Sequence, residues 1–145
     1  MTRALCALAL ILLALRPALA ADGGKPPVTL YKSPECGCCE AYAGTLRDHG
    51  FTVAVVAEED LWSLKRRRGV PEGFDGCHTS IIDGYVVEGH VPVDTIDRLL
   101  SERPDIKGIS LPGMPLGSPG MTGRKTEPFT IYELSDGAPT VYAVE

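Results

Sequence analysis

Three cysteines fall within four residues, Cys36-Gly37-Cys38-Cys39, and a fourth, Cys77, lies well downstream and is followed at once by His78. Cys36 and Cys39 have the C-x-x-C spacing of a dithiol redox couple. At a helix N-terminus the exposed backbone N–H groups and the positive end of the dipole favour a thiolate. Thiolate is the form that both disulfide exchange and metal coordination require. Cys38 has no use in a two-sulfur couple and is an added soft donor. The neighbouring sulfurs of Cys38 and Cys39 are poorly disposed to chelate one ion tetrahedrally; they suit different metals, or a bridge between two.

Other residues extend the donor set. Met114 and Met121 sit in the Pro/Gly-punctuated stretch 111–121, which has neither helical nor strand periodicity, so no apolar face accounts for them. Thioethers are soft donors that favour copper(I) over zinc, and together with thiolates they point to copper more than to zinc or iron–sulfur. His78 is read as a ligand, as a support for one, or as a structural histidine. His90 is read as structural or as such a support. His49 suits the C-terminal end of a helix. The run Lys65-Arg66-Arg67-Arg68 is expected to be a solvated helix end, and Trp62 to be packing. No Ser-His-Asp order, phosphate loop or convergent carboxylate pair is present.

The elements that must position these residues follow from periodicity and punctuation. Residues 28–31 read as a buried strand, followed by a Ser33-Pro34 turn and the cysteines. Residues 40–49 fit a helix with Tyr42 and Leu46 on one face and Gly50 as its stop. Residues 51–56 are a β-branched strand. Asp60 caps a second helix carrying Leu61 and Leu64, ended by Gly69. Residues 79–82 and 85–88 flank Asp83-Gly84, a strong hairpin signal. Pro92 opens a third helix with Val93, Ile96, Leu99 and Leu100 inward and Pro104 after it.

Strand, helix, strand, helix, hairpin, helix is the thioredoxin arrangement, and right-handed crossovers leave few other ways to pack it. The expected class is therefore α/β: a thioredoxin-like mixed sheet flanked by helices. Residues 108–125 are expected to be a long functional loop, and 129–134 with 140–144 a final hairpin. In this arrangement the loop entering the third strand faces the C-x-x-C turn, so Cys77 is expected to reach the cluster despite its distance in sequence.

The N-terminus reads as a targeting segment. Arg3, an apolar run and the small residues of Ala18-Leu19-Ala20 predict a signal peptide over 1–20, then a linker over 21–27 and one metal-binding domain over 28–145. Cys6 leaves with the peptide. The domain is expected in an exported, oxidising compartment, the periplasm, where four cysteines become structural disulfides, a redox pair or metal ligands. A net charge of −5 across 145 residues lacks the basic footprint of a nucleic-acid binder, and no apolar run is long enough to span a membrane.

Cys36-Gly37-Cys38-Cys39, Cys77-His78-Thr79, the segment from Gly84-Tyr85-Val86-Val87 to His90-Val91-Pro92 and the Met114–Met121 stretch together resemble the CopG-type copper-resistance family, long grouped as a domain of unknown function. The resemblance covers 28 to the C-terminal hairpin. It implies a periplasmic thioredoxin-like protein that binds copper, as Cu(I), through Cys36, Cys38, Cys39 and Cys77, in a cysteine-bridged multi-copper site. It also implies a role in copper tolerance, redox conversion between Cu(I) and Cu(II), and exchange with other periplasmic copper-handling proteins. Met114 and Met121 match the family's methionine-rich loop. Thr122 stands where an acidic residue is expected, so a carboxylate role there is not carried over. The alternative from the residues themselves is a thiol–disulfide oxidoreductase using Cys36 and Cys39.

Overall fold

A computed structural model describes residues 24–145; the expected signal peptide over 1–20 lies outside the described residues. The element order is β1 (Val28–Lys32), α1 (Gly37–Asp48), β2 (Val53–Ala57), α2 (Leu61–Arg67), β3 (His78–Ile82), β4 (Tyr85–Glu88), α3 (Val93–Glu102), β5 (Gly108–Ser110), β6 (Thr130–Leu134) and β7 (Thr140–Val144). All seven strands form one mixed sheet in the order β2-β1-β3-β4-β5-β6-β7. β1 is parallel to β2 and antiparallel to β3; β4 is antiparallel to β3 and parallel to β5. Among the described residues no helix is long and apolar enough to cross a membrane.

Local chemistry explains the elements. In α1 the buried residues Cys39, Tyr42, Ala43 and Leu46 recur at helical spacing, which gives one inward stripe. Asp60 caps α2 by accepting the Ser63 N–H at 3.2 Å. Asp83 and Gly84 both take positive φ, 48° and 88°, the backbone that a two-residue hairpin between twisted strands demands. Val93, Thr95, Ile96 and Leu99 form the buried face of α3.

The main core joins α1 and α3 to the sheet through Leu30, Tyr42, Leu46, Ile82, Val87, Ile96, Leu99, Ile109 and Ile131. A smaller cluster holds Val70, Val86 and Leu134, with Ile81 against it. Since neighbours Val86 and Val87 fall in different clusters, and side chains alternate along a strand, the sheet is covered on both faces.

Four expectations change. The first three residues of the expected loop 108–125 are strand β5, too short for periodicity to announce; it carries the C-terminal hairpin into the main sheet through the pairs Gly108↔Leu134 and Ser110↔Tyr132. Helix α1 begins at Gly37 rather than Glu40, so Cys38 and Cys39 lie in its first turn. Trp62 is 65% exposed rather than packed. Lys65 is not solvated: its side chain is 2% exposed and pairs with the buried Glu88. Within the expected linker, Lys25 is tied to Asp97 of α3 at 2.6 Å.

Candidate metal centre

The cysteine turn leaves the end of β1 and enters α1. Lys32, the last residue of β1, turns its buried amine back on that turn and donates to the carbonyls of Ser33 (3.3 Å) and Pro34 (3.0 Å). Cys36 is the N-cap of α1 without a side-chain capping bond. Lys32 pairs with His78 in the β1–β3 register, so the residue before His78 must lie beside the residue after Lys32. Antiparallel pairing thus delivers Cys77 to the cysteine turn.

The four sulfurs of Cys36, Cys38, Cys39 and Cys77 lie within 4.8 Å of one another. Cys36 and Cys39 are joined as a disulfide, with Cα atoms 5.5 Å apart; Cys38 and Cys77 are free. Cys38 Sγ is 3.5 Å from Cys36 Sγ and 3.7 Å from Cys77 Sγ, and Cys39 Sγ is 3.5 Å from Cys77 Sγ. Metal–thiolate bonds of about 2.3 Å put tetrahedral sulfurs about 3.8 Å apart, so three of the contacts already have the separation that coordination needs. The disulfide withholds two sulfurs, and its reduction releases all four.

Two histidines complete the pocket. His78 and His90 are fully buried, and with Cys77 they form a second group whose ligating atoms lie within 4.8 Å of one another. His78 Nδ1 is 3.5 Å from Cys77 Sγ and His90 Nε2 is 2.9 Å from it. Tyr42 packs against both rings, at 4.5 and 5.2 Å between centroids, and its hydroxyl donates to the Val91 carbonyl at 2.8 Å.

Burial controls protonation here. Burial, and then the neighbouring Cys38, push the Cys77 thiol up to about 12. Burial holds His78 well below the ordinary imidazole range, with His90 and Lys65 adding to the effect. Burial also lowers His90, against the Pro119 carbonyl, which favours its charged form. Burial and Cys77 raise the Tyr42 phenol. The pocket therefore favours neutral imidazoles and a protonated Cys77.

Beneath the pocket lies a buried polar network. Glu88 ends β4 fully buried; it pairs with Lys65 and accepts from Thr79 Oγ1 at 2.6 Å and from the Gly76 N–H at 2.7 Å. Lys65 Nζ also donates to Thr79 Oγ1 at 3.1 Å. The carboxylate thereby anchors the backbone one residue before Cys77. A side chain at Gly76 would meet Gly89 Cα at 2.4 Å, so glycine is required for this approach.

The methionine loop is anchored at both ends. Gly113 bridges Gly76 and donates to the Asp75 carbonyl at 2.8 Å. The Pro119 carbonyl accepts from His90, and a Cβ at Gly120 would meet the Tyr42 nitrogen at 2.6 Å. Met121 is half-buried next to that contact, and Met114 is 55% exposed. The structure thus gathers the four cysteines and His78, and ties the loop that carries the methionines to Asp75, Gly76, His90 and Tyr42. Sequence reasoning read His90 as structural or as a support and did not foresee its contact with Cys77, and it missed Lys65 and Glu88. A charged residue closing the apolar run Tyr85-Val86-Val87 was the available signal, because a glutamate there is buried and needs a cationic partner.

The family described as "Protein of unknown function, DUF411" matches residues 74–121, the segment from the Cys77 loop to Met121. Two solved structures of the copper resistance protein CopG, forms 1 and 2, are each 38% identical to this chain with a TM-score of 0.77, and the match covers 83% of this chain and 98% of theirs. No curated protein matches. At that identity and coverage, the chain belongs to the CopG copper-resistance family.

Proposed function

We propose that this protein binds copper(I) between the α1 N-terminus and the Cys77 loop, with Cys36, Cys38, Cys39 and Cys77 as ligands. The observation that carries the reading is the convergence of four sulfurs within 4.8 Å from two separate segments. Membership of the CopG family supports copper as the ion, and an all-thiolate set prefers Cu(I). The adjacent Cys38 and Cys39 favour sulfurs that bridge more than one copper. Met114 and Met121, carried on the anchored loop, are proposed as added thioether donors. Cys36 and Cys39 must be reduced before copper enters, and loading displaces the Cys77 proton.

The wider reading is a thioredoxin-like unit, β1 to α3, extended by β5 to β7. It is exported to the periplasm after loss of 1–20, and takes part in copper tolerance by holding Cu(I), cycling it with Cu(II), and exchanging it with other copper-handling proteins. The test is anaerobic addition of Cu(I) to the reduced protein in competition with a Cu(I) chelator. At least one equivalent is expected to bind, with loss of affinity in Cys38→Ser and Cys77→Ser. No binding, or unchanged binding in both variants, refutes the reading.

The Cys36–Cys39 disulfide favours a second reading, a thiol–disulfide oxidoreductase with Cys36 attacking and Cys39 resolving. It predicts turnover of a disulfide substrate that survives Cys38→Ser and Cys77→Ser; absence of turnover ends it.

A further inference from the structure

We propose that the β2 edge of the sheet is a self-association surface: two copies of this chain join antiparallel across a two-fold axis at Val56, extending one sheet through both. The inference is independent of copper binding.

The seven-stranded sheet ends in two uncharged strands, β2 and β7. An open edge presents unpaired N–H and C=O groups, and proteins blunt such edges with charges, prolines or bulges. β7 is blunted. Its pairing with β6 shifts register between Ile131 and Tyr132, whose partners are Ala143 and Val141, so Tyr142 is the extra residue of a bulge. β2 has no such device. Val53-Ala54-Val55-Val56-Ala57 pairs with β1 in unbroken register, and Ala54, Val56 and Ala57 are exposed.

The backbone fixes which groups are on offer. The Val28 N–H donates to the Thr52 carbonyl and the Glu58 N–H to the Lys32 carbonyl, both at 2.8 Å. Alternate residues of β2 thus face β1, and Val53, Val55 and Ala57 turn their N–H and C=O groups outward. The Val53 carbonyl is occupied, because Arg47 Nη2 of α1 donates to it at 2.9 Å. The outward groups of Val55 and Ala57 have no partner among the described residues.

That occupancy sets the register. An antiparallel copy must bring outward groups opposite outward groups. A two-fold at Val55 pairs Val53 with Ala57 of the second copy, where Arg47 stands in the way. A two-fold at Val56 pairs Val55 with Ala57 of the second copy, and Ala57 with its Val55. Each such pair exchanges two main-chain hydrogen bonds, about four in all. The two Val56 side chains, each 37% exposed in the single chain, then face one another as a non-hydrogen-bonded pair and shield each other from water.

Charge selects the occupant. In this register Val53 faces Glu59 of the second copy, so Arg47, bound beside Val53, meets the acidic step Glu58-Glu59. Arg47 and Glu59 are both exposed, and neither belongs to an ion pair among the described residues. A two-fold interface must be self-complementary. A cation at one end of the edge and an acid at the other meet that condition when the neighbour is an antiparallel copy. One strand edge is a small interface, so the dimer is a weak one.

The test is sedimentation equilibrium of residues 21–145, kept reduced and metal-free so that no intermolecular disulfide or metal bridge contributes. Between about 10 μM and about 2 mM protein, a monomer–dimer equilibrium with Kd of about 0.1–1 mM is expected. The Val55 and Ala57 amides should gain hydrogen-exchange protection as the concentration rises. Val56→Lys sets like charges against each other on the two-fold and should abolish the dimer. Arg47→Glu should weaken it by about fivefold or more, and Arg47→Glu with Glu59→Arg should restore it to within about twofold of the parent. A protein that stays monomeric to about 2 mM overturns the proposal. So does a dimer unchanged in Val56→Lys, which places the contact elsewhere, for example on the β7 edge. Should Val56→Lys fail to fold, the charge exchange decides alone: a double variant no better than Arg47→Glu overturns the proposal.

Discussion

Replacing Lys65 with methionine tests whether the buried network under the pocket is held by charge. Lys65 and Glu88 are 2% and 0% exposed at their side chains, so neither water nor salt can take the place of a lost partner. Removing one member of a buried ion pair costs about 3–5 kcal/mol, chiefly because the other charge stays buried and unpaired. Glu88 keeps its bonds from Thr79 and the Gly76 N–H at 2.6 and 2.7 Å, which places Lys65→Met at the lower end, about 3 kcal/mol. With a urea m-value of about 2 kcal/mol/M, the midpoint falls by about 1.5 M. The double variant Lys65→Met, Glu88→Gln removes both charges and retains an oxygen to accept from Gly76. It should recover to within about 1 kcal/mol of the parent, since replacing a whole buried pair is often near neutral. Urea melts followed by circular dichroism measure all three proteins. If Lys65→Met costs less than about 1 kcal/mol, or the double variant is no better than the single one, the charge argument is wrong.

Three further outcomes follow from the geometry. In the disulfide-closed protein Cys77, pushed up to about 12, is protonated at pH 8; its alkylation by iodoacetamide, read by peptide mass mapping, should be far slower than that of an exposed cysteine and should rise about tenfold per pH unit up to pH 10. Gly120→Ala places a Cβ 2.6 Å from the Tyr42 nitrogen at a residue with φ of 77°; a thermal midpoint at least about 3 °C lower is expected, and an unchanged midpoint would mean the loop is not seated on α1. Trp62→Ala, at a side chain 65% exposed, should alter unfolding free energy by no more than about 0.5 kcal/mol in urea melts.

Much of the architecture was legible in local patterns. The Asp83-Gly84 hairpin, the amphipathic stripe of α3 and the capping aspartate of α2 are encoded within a few residues each, and each formed where the pattern put it. β5 was not legible, because three residues, Gly108-Ile109-Ser110, carry no period; their strand state comes from the flanking partners β4 and β6. Lys65 shows the same limit in a different form. Next to three arginines it has the look of solvated charge, and only the position of Glu88 across the sheet reverses that.

The sequence by itself determined the candidate donors: soft sulfur atoms, a histidine directly after Cys77, and a turn at a helix start that exposes backbone N–H groups. Residue type and short-range spacing are properties of the chain alone. Which donors meet was decided by the tertiary structure. Antiparallel pairing of Lys32 with His78 carries Cys77 to the cysteine turn, and the packing of Pro119 and Gly120 against His90 and α1 aims a ring that had no assigned partner. Long-range register depends on how every strand buries its faces at once, and no local window contains that information.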